Sequence, residues 1–234
     1  MTKTRILVFL LLFCGQLIWD ACREPERLPK KVKSKQESIK GTNAKDPVQI
    51  ILFFGNSLTA GYGVKPEDAF PGLIQKRLDS LVFPYKVINA GLSGETTASG
   101  VNRIEWVLRE PVAIMILELG GNDGLRGIDP EESKKNLQEI IDLTQTRYSE
   151  MPIIIAGMEA PPNMGQEYVS AFRSIFPELS QMNDLPLIPF LLEGVGGELE
   201  LNQQDGIHPN EQGHKIVANN VWAVLKEVIE GLKD

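Results

Sequence analysis

Residues 48–63 read Val48-Gln49-Ile50-Ile51-Leu52-Phe53-Phe54 and then Gly55-Asn56-Ser57-Leu58-Thr59-Ala60-Gly61-Tyr62-Gly63. The first seven are of strand length, and from Ile50 onward they are apolar without alternation, so the strand must be covered on both faces. Strands of that kind lie inside parallel sheets, and a parallel neighbour is reached only through a crossover, usually a helix. The glycine-rich run that follows therefore marks the carboxyl end of a buried strand.

Outward from this stretch the same alternation continues. Asp68 to Leu81 places Phe70, Leu73, Ile74, Leu78 and Leu81 at helical spacing, and Tyr85 to Asn89 reads as a strand. A helix is predicted over Thr97 to Leu108 and a third buried strand over Val112 to Leu119. Then come an amphipathic helix from Pro130 to Tyr148, a strand from Pro152 to Ala156, and a helix from Glu167 to Met182. A short Pro186–Pro189 strand and a final helix from Pro209 to Leu232 complete the series. Alternation of strand and helix with right-handed crossovers gives an α/β fold, a doubly wound three-layer α/β/α sandwich around a parallel sheet of about five strands, flavodoxin-like in outline. Ligands in such folds gather at the carboxyl ends of the strands.

Charge separates this body from what precedes it. The chain of 234 residues has a net charge of −7, yet residues 1–46 contribute +5, so residues 47–234 carry −12. An acidic body argues against a nucleic-acid partner, whose phosphates require a basic surface. Lys3 and Arg5 precede an apolar run from Ile6 to Phe13, the pattern of a secretory signal too short to span a bilayer comfortably. Ala21-Cys22 resembles the end of a bacterial lipobox, with Cys22 as the lipidated residue, although Trp19 and Asp20 fit that motif poorly. The division expected is a signal peptide over 1–22, a solvated basic linker over 23–46 and a folded domain over 47–234. An exported, periplasmic or envelope-tethered monomer, with lipid-anchored membrane association through Cys22, follows from it. Two cysteines cannot build a disulfide scaffold or a cysteine-based zinc site.

Four loops carry candidate chemistry. Ser57 follows the first strand; Ala90-Gly91-Leu92-Ser93-Gly94-Glu95-Thr96 follows the second; Gly120-Gly121-Asn122-Asp123-Gly124 follows the third; and Asp205-Gly206-Ile207-His208-Pro209 opens the last helix. Each is ordinary alone: turn compositions, or Asp205 and Asn210 serving as helix caps. Together they supply a nucleophile, a base, a carboxylate to orient the base, and donors for an oxyanion, which are the requirements of acyl transfer. The chain has two histidines, and His214, six residues past His208, points to a different side of the final helix, so it is assigned to the surface or to helix packing.

These stretches, with Glu118-Leu119-Gly120-Gly121-Asn122-Asp123-Gly124-Leu125-Arg126-Gly127, resemble the SGNH hydrolases, also called the GDSL esterase and lipase family. The likeness covers about residues 48–232 and is strongest to the bacterial thioesterase, arylesterase and lysophospholipase subgroup. It implies Ser57 as nucleophile, His208 as general base and Asp205 as its orienting acid. It also implies an oxyanion hole made of the Ser57 and Gly94 backbone N–H groups and the Asn122 side chain. The substrates implied are small acyl esters, thioesters or lysolipids, with no cofactor and no metal. A carbohydrate acetyl esterase of the same family, a non-catalytic envelope lipoprotein, and a flavodoxin-like phosphate or flavin binder are the alternatives. Two departures stand out. Asn56 occupies the place of the family's usual Asp, implying modest retuning, and Gly91 stands where a side chain is common, with little expected bearing on the chemistry. Met158, Met164, Phe190 and Leu191 are candidates for an acyl groove or for core, and the acidic Glu193–Glu200 stretch is expected to be a loop beside the site rather than a ligand set.

Overall fold

The structure is a computed structural model that describes residues 48–232. The proposed signal, the linker and Cys22 lie outside the described residues. Five parallel strands form one sheet in the order β2-β1-β3-β4-β5. They are β1 (Gln49–Gly55), β2 (Tyr85–Gly91), β3 (Ile114–Glu118), β4 (Ile153–Ala156) and β5 (Leu187–Ile188). The helices are α1 (Ser57–Ala60), α2 (Phe70–Ser80), α3 (Thr97–Val107), α4 (Gly121–Arg126), α5 (Pro130–Arg147), α6 (Gln166–Asn183) and α7 (Glu211–Gly231). Helices α2 and α7 pack together in one layer, and α3, α5 and α6 pack side by side in the other. The doubly wound sandwich expected from the strand–helix alternation is what is found.

The central strands are dry. Ile51, Leu52, Phe53 and Phe54 of β1 and all five residues of β3 are buried, which explains the uninterrupted apolar runs. From β1 the chain winds one way to β2 and then crosses back to β3, so the switch point lies at the carboxyl ends of β1 and β3. Gly55 sits there, opposite Gly91 on one side and Glu118 on the other. A Cβ at Gly55 would lie 2.3 Å from Thr59 Oγ1 and 2.5 Å from Glu118 Oε2, so only glycine fits.

Element boundaries differ from expectation in physically interpretable ways. β2 runs on to Gly91, while β3 is confined to Ile114–Glu118. Helix α7 starts at Glu211, because the Asn210 side chain accepts Gln212 N–H and Gly213 N–H and so caps it. Two glycine-rich segments read as loops, after β1 and after β3, in fact coil into α1 and α4. His214 is on the packed side of α7: it is buried, stacks on Phe70, and its Nδ1 accepts the Phe70 N–H at 3.2 Å. No helix among the described residues is long and apolar enough to cross a membrane.

Candidate active site

The loop before α7 folds back as a narrow hairpin. Asn202 bridges Pro209, and Gln203 N–H donates to His208 O at 2.7 Å, which leaves Asp205 and His208 at the tip. Asp205 Oδ1 accepts the backbone N–H groups of Ile207 and His208 at 2.9 and 3.0 Å. Its Oδ2 lies 2.8 Å from His208 Nδ1. The bonds from Ile207 and His208 backbone N–H, then the imidazole, hold the Asp205 carboxyl down at a pKa of about 2, so it stays ionised. The other ring nitrogen of His208, Nε2, lies 2.9 Å from Ser57 Oγ. Residues 57, 205 and 208, from loops far apart in the chain, thus form one continuous hydrogen-bonded line.

Ser57 is the first residue of α1, directly beyond β1. The first N–H of a helix has no intrahelical acceptor, and the Ser57 N–H meets no protein acceptor among the described residues. Gly94 N–H is likewise without one, in a turn where Gly94 adopts φ +83° and its carbonyl is held by Arg126 Nη2 at 3.1 Å. Asn122 Nδ2 donates one of its two N–H groups to Glu95 O at 2.9 Å, which orients the amide and leaves the second N–H to another acceptor.

The expected residues sit on a rigid frame that sequence reasoning missed. The Glu95 side chain is fully buried and clamped by Arg103, Nε to Oε1 at 2.7 Å and Nη2 to Oε2, while Arg103 Nη2 also donates to Ala90 O at 2.8 Å. The guanidinium lies over Phe54, 4.5 Å from the ring centroid. Asp123, fully buried, accepts Thr97 N–H at 3.0 Å and tethers the start of α3 to α4. Tyr62 places its ring 4.7 Å from the His208 ring, and Gln203 Nε2 holds the Tyr62 carbonyl at 2.6 Å. Glu118 is buried beneath α1, and burial raises its pKa to about 7, against the lowering effect of hydrogen bonds from Thr59 and Asn56. A charged residue closing an otherwise apolar strand was the signal for Glu118; Tyr62 and Arg103 gave none.

A cavity of about 490 Å³ opens beside Ser57, Asn122 and His208, with Leu125, Met158, Phe190 and Ile207 among its apolar walls. Of the groove candidates, Met158 and Phe190 line it. Leu191 is instead in the core, and Met164 lies away from it, against Gly127. Gly196 and Gly197 bring the acidic stretch to the cavity's edge. Among the described residues no cluster of three His, Cys, Asp or Glu is placed to hold a metal ion. The expectation that Gly91 has little bearing needs correction: a Cβ there would lie 2.2 Å from Ala60 N, inside the backbone of α1. Glycine at 91 is what lets the Ser57 turn close on β2. Asp205 does not cap α7, since Asn210 does.

The model of the GDSL-like lipase/acylhydrolase family matches residues 53–216. Esterase TesA of Pseudomonas aeruginosa is 36% identical over 182 residues, covering 77% of this chain and 90% of that protein. The thioesterase 1/protease 1/lysophospholipase L1 of Escherichia coli K12 is 35% identical over 180 residues, covering 76% of this chain and 84% of the relative. Among solved structures, the psychrotrophic esterase EstA of a Pseudoalteromonas species, inhibited by monoethylphosphonate, superposes with a TM-score of 0.72 at 29% identity, covering 78% of this chain and 99% of that one.

Proposed function

Because the chain belongs to the GDSL-like lipase/acylhydrolase family, we propose that it is a serine esterase cleaving acyl esters or thioesters through Ser57, His208 and Asp205. The observation that carries this reading is the unbroken line from Ser57 Oγ to His208 Nε2, 2.9 Å, and from His208 Nδ1 to Asp205 Oδ2, 2.8 Å. Asp205, ionised, accepts a hydrogen bond from Nδ1–H and so leaves Nε2 as the basic nitrogen facing the serine. Ser57 Oγ attacks the acyl carbon as His208 takes its proton. The carbonyl oxygen, now negative, is received by Ser57 N–H, Gly94 N–H and the second N–H of Asn122. His208 then protonates the leaving alcohol or thiol, and the acyl group stays on Ser57. Water, deprotonated by the same imidazole, attacks the acyl-enzyme, and the carboxylate product departs.

The apolar lining of the cavity favours an acyl chain over an acetylated sugar, in keeping with the names of the relatives, a thioesterase and lysophospholipase among them. Export by the signal of residues 1–22, with a lipid on Cys22 and a monomeric body, completes the proposal; intact mass of the membrane-fraction protein tests the lipid. The experiment for the site is turnover of 4-nitrophenyl esters from acetyl to palmitoyl with labelling by an organophosphonate. Wild type turns over and takes one phosphonyl group on Ser57; Ser57→Ala does neither. An Ala variant as active as wild type would overturn the assignment.

A further inference from the structure

The reaction above makes no use of the group directly beneath the nucleophile. Glu118, the last residue of β3, is completely buried, and its carboxylate accepts four hydrogen bonds, all from the turn that carries Ser57. Oε2 takes Asn56 N–H at 3.1 Å, Thr59 N–H at 3.3 Å and Thr59 Oγ1 at 2.8 Å; Oε1 takes Asn56 Nδ2 at 2.7 Å. With its Nδ2 spent on Glu118, Asn56 turns Oδ1 the other way. There Oδ1 accepts Leu58 N–H at 2.9 Å, which is the N-cap of α1. The two ends of the Asn56 amide have partners of opposite polarity, so the amide cannot flip without breaking both bonds.

Resting on the reading of Ser57 as nucleophile, we propose that Glu118 is a positioning residue for it: its negative charge fixes the Asn56 amide, and the amide fixes α1 with Ser57 facing the cavity. A proton on Oε1 would confront the Asn56 amide donor with a second donor. The hydroxyl that forms is a much weaker acceptor than the carboxylate, which favours a flipped amide offering Oδ1 to it, and a flip takes the acceptor away from Leu58 N–H and uncaps α1. Protonation of Glu118 therefore loosens the nucleophile turn while leaving the sheet intact. Burial brings this event to a pH of about 7, within the working range of an esterase. The other charged groups at this edge are engaged elsewhere. Glu95 pairs with Arg103, Asp123 accepts from Thr97, and Asp205 bonds His208, so burial and the four local bonds set the behaviour of Glu118.

The wild-type pH profile and a polarity swap test this. In wild type, log kcat/KM for 4-nitrophenyl acetate falls more steeply on acidification through pH 7 than in a variant whose residue 118 cannot ionise, because Glu118 takes up a proton there. Glu118→Gln places an NH2 group among donors, imitating the protonated form. At pH 8 its kcat is about 10–10²-fold lower with KM little changed; its acid limb is the shallower of the two, so the two curves converge at low pH. The double variant Asn56→Asp/Glu118→Gln exchanges the ends of the pair. The strand-side amide now donates to the turn-side carboxylate, whose second oxygen still accepts Leu58 N–H, and kcat recovers about tenfold or more over the single variant. A wild-type acid limb parallel to that of Glu118→Gln overturns the proposal, as does a folded double variant no more active than Glu118→Gln. If Glu118→Gln does not fold, a folded and active double variant still supports the pairing and a folded, inactive one refutes it. Phosphonate labelling of the same samples separates the two readings: unlabelled wild type refutes the nucleophile, whereas labelled wild type whose acid limb parallels that of Glu118→Gln refutes Glu118 alone.

Discussion

Asp205→Asn changes the proton geometry of the site while sparing its shape. Asp205 divides two tasks between its oxygens: Oδ1 holds the loop through Ile207 N–H and His208 N–H, and Oδ2 faces His208 Nδ1 at 2.8 Å. Asparagine can keep the first task with its own Oδ1, and must then point its NH2 group at Nδ1. A ring nitrogen facing a donor is the unprotonated one, so the proton moves to Nε2. There it faces Ser57 Oγ, 2.9 Å away, and blocks the very nitrogen that should accept the serine proton. Loss of a charge-assisted bond alone is worth about 10–10²-fold in rate; adding the wrong tautomer brings the loss to about 10⁴-fold. Asp205→Ala is the sharper comparison. The Asp205 side chain is 37% exposed, so water can enter the space left by truncation and accept the Nδ1 proton, preserving the tautomer. The Ala variant is therefore expected to stay near a 10²-fold loss and to be the more active of the two. Steady-state kcat with 4-nitrophenyl butyrate at pH 8, with phosphonate labelling rates as a check on the acylation step, measures both. An Asn variant within tenfold of wild type, or no worse than Ala, would refute the reasoning.

Arg103→Met removes the clamp on buried Glu95 while keeping an apolar stem over Phe54. Breaking a buried pair from one side costs about 3 kcal/mol in chemical denaturation, and because Glu95 O holds Asn122, kcat should fall about tenfold with KM nearly unchanged. Gly91→Ala puts a methyl group 2.2 Å from Ala60 N, and α1 must retreat; kcat is expected to fall about 10²-fold, and a fully active, folded variant would show that α1 tolerates the shift. For His214→Asn the readout is stability against pH. Burial, with the charge of His208, lowers the His214 pKa from 6.5 to about 4. The unfolded chain then takes up that proton first, and stability is lost as pH falls from 6.5 to 4, at up to about 1.4 kcal/mol per pH unit. Glu118 acts in the opposite sense: its pKa is raised from 4.5 to about 7, so the folded state takes up the proton first and gains stability over that range. In wild type the two slopes oppose. Asparagine at 214 keeps an acceptor for Phe70 N–H, and urea denaturation at pH 7 and pH 5 should show it gaining stability on acidification where wild type barely changes.

What the sequence discloses about this site depends on how far apart the cooperating groups lie. The strands and the layered architecture were legible because each buried strand is a continuous apolar run alternating with helices, and the glycine-rich breaks marked the ends where ligands gather. Asp205 and His208 are three residues apart, so their pairing is a local matter of one turn. Ser57, ordinary alone in a glycine-rich turn, was legible only together with the base, the acid and the oxyanion donors at the other strand ends. Helices of four and six residues, α1 and α4, are shorter than the periodicity that would reveal them. Beyond that limit, register decides. Glu118 reaches Asn56 and Thr59, 62 and 59 positions earlier, only because Gly55 lies opposite Glu118 in the β1–β3 ladder. Gly91 lies under α1 only because the same Gly55 pairs with it in the β1–β2 ladder. An apolar pattern names the strands that exist but is indifferent to a shift of two residues between them, and such a shift would carry Glu118 away from the turn. The proposed catalytic residues are written in local motifs, whereas the groups that hold them still are specified by pairing across the sheet, so a substitution that slips β3 against β1 should silence the enzyme with every motif intact.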